Sequence, residues 1–237
     1  MKHLISLILF SLSINSHSMA PKVNWDNAID RAVKRYGLRV EPQLISYFSK
    51  AGVSYPPKKI ALLAFKSERK VELWAKNTEQ SSWAHVHDYP LTGFSGRLGP
   101  KLRENDKQIP EGVYKLVNFN PFSSMHLSMM INYPNNFDKQ KGYQDGRKKL
   151  GNNIFIHGKN LSVGCLAIGD LAIDQLFILA RRVGLSNIQI IISPNDLRGD
   201  KKPTTSTFAQ PRWLPELYKQ ISESLKPFNK KQEYTTA

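Results

Sequence analysis

The 237-residue chain contains one thiol, Cys165, and His157 stands eight residues before it. Catalysis by a cysteine nucleophile needs a thiolate, a neighbouring base and hydrogen-bond donors for an oxyanion. Residues 152–170, NNIFIHGKNLSVGCLAIGD, contain residue types for all three. A short apolar run, Ile154 to Ile156, would deliver His157 at the end of a strand, and Ser162, Val163, Gly164 and Cys165 follow across a tight turn. That spacing lets an imidazole approach the sulfur and hold the thiolate as an ion pair. Gly164 has no Cβ to obstruct a substrate carbonyl, so the Cys165 N–H and a neighbouring amide are candidates for the oxyanion hole. Spacing alone leaves a second reading open: a small buried thiol on a turn beside a histidine that caps a strand.

The elements that position these residues can be read from apolar patterning. Residues 59–65 and 70–74 are apolar runs separated by Ser67, Glu68 and Arg69, which predicts a hairpin. Further strands are expected over 83–89, 112–119, 127–132, 153–157 and 187–193, mostly bounded by Gly, Pro or Asn. Such density of short strands indicates a β-rich α+β domain. One helix interrupts the series from Asp170, read as its N-cap, to Gly184, with Ile173, Leu176, Phe177, Ala180 and Val183 on one face and Arg181 and Arg182 complementing the C-terminal dipole. Two short helices separated at Pro42 are expected over 24–52, and a last helix over 211–225.

Beyond this bottom-up reading, His157-Gly158 followed by Ser162-x-Gly164-Cys165 resembles the active-site signature of the L,D-transpeptidase catalytic domain (YkuD) family. Residues 107–116, KQIPEGVYKL, are similar to the family's proline-glycine strand opening, and residues 59–74 to its first hairpin. The compact motif, the continuation Ala167-Ile168-Gly169-Asp170 and residues 124–135, SMHLSMMINYPN, resemble the YafK-type branch. Most family members carry a histidine just before the Gly-Cys pair and an arginine two residues after the cysteine; here Val163 and Ala167 stand there. The resemblance implies a β-sandwich of the L,D-transpeptidase type with a helix after the cysteine. It also implies Cys165 as acyl-accepting nucleophile, His157 as base and later acid, and the Gly164 and Cys165 amides around the oxyanion. Gly158, Ser162, His126 and Tyr133 are the implied substrate contacts, and no metal or organic cofactor is needed. The implied substrates are peptidoglycan stem peptides, with transfer to an amine or hydrolysis as the outcome, including release of wall-attached protein.

Other residues are weaker candidates. His85 and His87 form a His-x-His pair that a regular strand would place on one face, where it could hold a metal; two surface histidines beside Asp88 is the plainer reading. His126 is read equally as a cleft residue or a satisfied structural histidine. Residues 138–149, DKQKGYQDGRKK, are read as a solvated basic loop before the catalytic strand, with a mobile cleft loop as the alternative.

Composition sets the setting. Residues 1–20 read as an export leader, with Lys2 and His3 before an apolar run from Leu4 to Ile14 that is well short of the roughly 20 residues needed to span a bilayer. Export predicts a periplasmic, envelope or secreted protein with no stable membrane insertion after cleavage. The 34 Lys and Arg against 19 Asp and Glu give a formal net charge of +15, scattered along the chain. Without zinc-finger spacing or interleaved aromatic and basic motifs, this charge points to wall polyanions and acidic stem peptides and not to nucleic acid. The expected organisation is a leader (1–20), a helical lead (21–57), a catalytic domain (58–194) and a C-terminal helix with a disordered tail (195–237). A papain-like protease is disfavoured, because there the cysteine precedes the histidine in the chain. A non-catalytic wall-binding protein with a basic face remains as a reading from another class.

Overall fold

A computed structural model describes residues 24–199, 201–206 and 210–229. The expected leader and residues 230–237 of the expected tail lie outside the described residues. Strands β1 (Lys59–Phe65) and β2 (Lys70–Lys76) form the predicted hairpin, with Phe65 opposite Lys70. β3 (Ala84–Pro90), β4 (Gly112–Asn120), β5 (Ser128–Ile131), β6 (Phe155–His157), β7 (Leu166–Ala167) and β8 (Ile188–Ser193) complete a mixed sheet of order β3-β2-β1-β8-β4-β5-β6-β7. β8 lies parallel to β1 and antiparallel to β4, and β7 lies parallel to β6. The class is the expected β-rich α+β, with its two sheet halves joined through β4, where a register shift falls between Leu116 and Asn118.

The apolar run of β1 does not alternate because both of its faces are covered. Ile60, Leu62 and Ala64 join one buried cluster, while Ala61, Leu63 and Phe65 join another. The first cluster is closed by α1 (Trp25–Lys50) and α3 (Asp170–Val183). The second is closed by α4 (Leu214–Leu225), whose Leu214, Leu217, Tyr218, Ile221 and Leu225 recur at helical spacing.

Three elements depart from expectation. α1 is one helix running through Pro42, where two were expected. Its stripe Ala28, Ile29, Ala32, Val40, Leu44 and Phe48 is buried throughout, and that packing outweighs the backbone hydrogen bond lost at proline. The segment read as a basic loop, 138–149, overlaps α2 (Asn136–Gln144), started by a capping box in which Asn135 and Asp138 exchange side-chain and backbone bonds. The N-cap of α3 is Gly169, not Asp170, because the Asp170 carboxylate instead accepts the Lys159 N–H at 2.7 Å. Arg181 and Arg182 on α3 reach across to Asp30 and Glu41 of α1.

Candidate active site

Parallel pairing of β6 with β7 sets Ile156 opposite Leu166 and His157 opposite Ala167. Phe155 and His157 share a face of β6, and Cys165, just ahead of β7, comes alongside Phe155. His157 and Cys165 both line a groove of about 670 Å³ whose lining also includes Asn120, Phe122, Met125, Leu161 and Val163. Cys165 is half-buried; its sulfur accepts the Phe155 N–H at 3.4 Å and points toward the Asn153 carbonyl at 3.9 Å. Among the described residues these are the hydrogen-bond partners of the sulfur, so groove and strand pairing, not a direct bond, bring thiol and imidazole together.

His157 is buried, and its Nδ1 lies 2.6 Å from the Gly158 carbonyl. A carbonyl only accepts, so Nδ1 carries the proton and Nε2 keeps its lone pair. Burial lowers the His157 pKa, opposed by that carbonyl. Burial likewise raises the Cys165 thiol, opposed by the Phe155 N–H and the nearby Lys101 ammonium. Both shifts work against the charged forms that the ion pair expected from sequence would need.

The turn carrying the cysteine is fixed by a directional chain of hydrogen bonds. The Gly164 N–H donates to Ser95 Oγ at 2.7 Å, and Ser162 Oγ donates to the Cys165 carbonyl at 2.7 Å. Ser95 and Ser162 hydroxyls lie 3.0 Å apart, so Ser95 donates to Ser162. The Gly164 amide therefore has a partner within the fold. Gly164 has φ +111°, and an added Cβ would lie 3.0 Å from the Gln108 carbonyl oxygen. The missing Cβ thus accommodates the residue 107–116 segment, where the sequence suggested room for substrate. At Gly158 an added Cβ would come within 2.5 Å of the Asp170 carboxylate.

The remaining sequence candidates fall elsewhere. His126 binds Asp174 of α3 at 2.7 Å and stacks edge-on with Tyr36; the groove wall there is its neighbour Met125. Asp174 is fully buried and also takes Arg39, so His126 serves helix packing. Tyr133 is buried, with its hydroxyl on the Leu150 carbonyl at 3.0 Å, and holds the chain after α2. Ser162 acts inside the turn. A register shift between Leu73 and Trp74 sends His85 and His87 to opposite faces: His85 meets Trp74 and Asp88, and His87 stacks on Tyr47 at 4.1 Å. Glu72, His85 and Asp88 come within 4.8 Å of one another, but Glu72 is already held by Arg198 and Lys70. Ser95, Gln108, Lys101 and the Phe155 amide are parts of the site that sequence reasoning missed. Only Gln108 carried a signal, through its place in the KQIPEG stretch.

A curled mixed sheet in which the end of β6 and the turn just before β7 set a histidine and the chain's one cysteine in one groove defines a cysteine–histidine domain. The chain belongs to the L,D-transpeptidase catalytic domain (YkuD) family, whose model matches residues 60–190. It is 33% identical over 135 residues to the Escherichia coli (strain K12) protein YafK, whose own designation as an L,D-transpeptidase is provisional. The match covers 55% of this chain and 52% of YafK, so the chain spans about half the length of that relative. Among solved structures, the helical cell shape determining protein Pgp2 of Campylobacter jejuni is similar over 68% of this chain and 56% of its own, with 18% identity and a TM-score of 0.47. Bd1075 of Bdellovibrio bacteriovorus is similar over 72% of this chain and 56% of its own, with 22% identity and a TM-score of 0.43.

Proposed function

We propose that the chain is an exported L,D-transpeptidase that works on peptidoglycan stem peptides through a Cys165 thioester. The observation carrying this reading is that His157, with Nδ1 tied to the Gly158 carbonyl, lines the same groove as the thiol. His157 Nε2 takes the thiol proton as Sγ attacks the carbonyl of the donor peptide bond. The Cys165 N–H meets the oxyanion, while the Gly164 amide, spent on Ser95, keeps the turn in place. Collapse of the tetrahedral adduct breaks the C–N bond, and His157 returns the proton to the departing D-amino acid. An acceptor amine, or water, then attacks the thioester carbon, gives its proton to His157, and the S–C bond breaks to restore the thiol.

Family membership and the leader-like residues 1–20 support an envelope location. No helix among the described residues is long and apolar enough to cross a membrane. Intact-protein mass spectrometry after exposure to a carbapenem tests the nucleophile: an adduct on wild type and none on Cys165→Ala is expected. Folded wild type without an adduct overturns the reading. Muropeptide analysis then sorts the outcome, since new 3-3 linkages or tethered protein mean transfer, whereas trimmed stems or detached protein mean hydrolysis.

A further inference from the structure

A second groove, of about 510 Å³, borders the segment that supports the nucleophile turn, and its lining includes Arg97, Arg103, Lys107 and Arg147. One carboxylate builds its floor. Asp106 accepts from Lys101 Nζ at 2.6 Å and from the N–H groups of Leu102, Arg103 and Gln108 at 2.9, 3.0 and 3.0 Å. Within this loop Asn105 and Lys107 hold φ of +59° and +57°, conformations that non-glycine residues keep only where the surroundings fix them. The negative charge of Asp106 is consumed inside the loop. The Arg103 and Lys107 side chains are exposed and, among the described residues, neither forms an ion pair with a carboxylate. Arg147 closes the groove by donating to the Leu102 carbonyl at 2.8 Å while packing over the Trp213 ring, and its Nε pairs with the Asp145 carboxylate at 3.0 Å, so Arg103 and Lys107 are the cations left for a ligand.

This groove is coupled to the thiol by backbone. Lys107 and Gln108 line it, and the Gln108 carbonyl is the atom against which Gly164 packs. We propose that it is a carboxylate-binding subsite, in which Arg103 and Lys107, flanked by Arg97 and Arg147, hold the acidic part of a peptide whose acyl carbonyl reaches Cys165. The identity of that peptide rests on the thioester reading above; the binding itself does not. Side-chain cations spread along a groove suit separate carboxylates. A phosphate polymer is a poorer fit, because the backbone amides that would converge on a phosphate are committed to Asp106.

The test is calorimetric titration of the full chain carrying Cys165→Ala with a wall tetrapeptide bearing free carboxylates, and with the same peptide amidated. The double substitution Arg103→Gln, Lys107→Gln is expected to weaken acid-peptide binding about ten-fold at low salt, with a smaller loss at high salt. The amidated peptide should show a similar deficit on the chain with both cations intact. In a chain that retains Cys165, the double substitution should leave iodoacetamide alkylation of the thiol unchanged. Equal binding of acid and amidated peptides, or undiminished acid-peptide binding by the double variant, overturns the proposal. So does a loss of polyphosphate binding with peptide binding intact. Because binding is read on a chain without the thiol, failure of the subsite and failure of the thioester chemistry give different results.

Discussion

Replacing Gly164 by alanine puts the geometry of the turn that carries Cys165 to a quantitative test. The new Cβ would meet the Gln108 carbonyl oxygen at 3.0 Å, with the carbonyl carbons of Gln108 and Lys107 at 3.7 Å, and none of these backbone atoms can rotate aside as a side chain would. At φ +111° an L-residue is also strained, at a cost of about 1–3 kcal/mol. If the turn keeps its shape, that loss falls on stability, and at about 2–4 °C per kcal/mol for a chain of this size the melting temperature drops by roughly 2–12 °C. If the turn relaxes instead, Cys165 moves with it and the Gly164 bond to Ser95 lengthens; a shift of about 1 Å at a reacting atom can cost about a hundred-fold in rate. Calorimetric melting and the rate of carbapenem acylation, measured on the same preparation, separate the two outcomes. Gly146→Ala, at φ +67° with nothing near its Cβ, isolates the backbone cost from the contact. A Gly164→Ala protein that melts and acylates like wild type would refute the account of the turn.

Three further predictions concern the site and its support. His157→Gln should slow acylation by about 10²–10⁴-fold while leaving melting nearly unchanged; alkylation of wild-type Cys165 by iodoacetamide should climb with pH through and beyond the ordinary thiol range, since burial raises that thiol, and a plateau near neutrality would restore the ion pair. Ser95→Ala removes the nearer acceptor of the Gly164 N–H, leaving Ser162 Oγ at 3.2 Å, and removes the donor to Ser162, so acylation should slow with a stability loss of about 1–3 kcal/mol, and an unchanged rate would dismiss the hydroxyl chain. Burial raises the Asp138 carboxyl to about 6, above its unfolded value of about 3.9. Its contribution is therefore complete below the unfolded value and is lost as pH climbs through the folded one. Denaturant midpoints should show wild type losing on the order of 2 kcal/mol relative to Asp138→Asn between about pH 4 and 6, and parallel curves would contradict that sign.

Much of this organisation is visible in residue patterning where a local rule and the tertiary fold agree. The β1–β2 hairpin and α3 are of that kind, and so is the placing of His157 and Cys165 in one groove, because His157 ends β6 and Cys165 directly precedes β7, its parallel partner. Pro42 misleads because the buried stripe on either side of it outweighs a local breaker. α2 escapes notice since it has almost no apolar face and rests on the Asn135–Asp138 capping exchange. Ser95 lies 69 residues before Gly164 and is an ordinary loop serine until the fold brings it under the turn. His126 and Tyr133 stand in a family-like stretch, yet their polar atoms face Asp174 and Leu150. Sequence resemblance locates a segment without saying which way its side chains point.

The family match begins at residue 60, but the scaffold behind Cys165 begins at Trp25. Helix α3 starts five residues after Cys165, and α1 covers it through Ile29, Leu44 and Phe48 in the core and through pairings of Arg39 with Asp174 and Arg182 with Glu41. A protein trimmed to the matched residues would leave this flank of α3 bare, with Asp174 stripped of its guanidinium. Anyone preparing a minimal fragment should therefore keep the first helix, because without it the trimmed chain loses the buttress on which the helix following Cys165 leans.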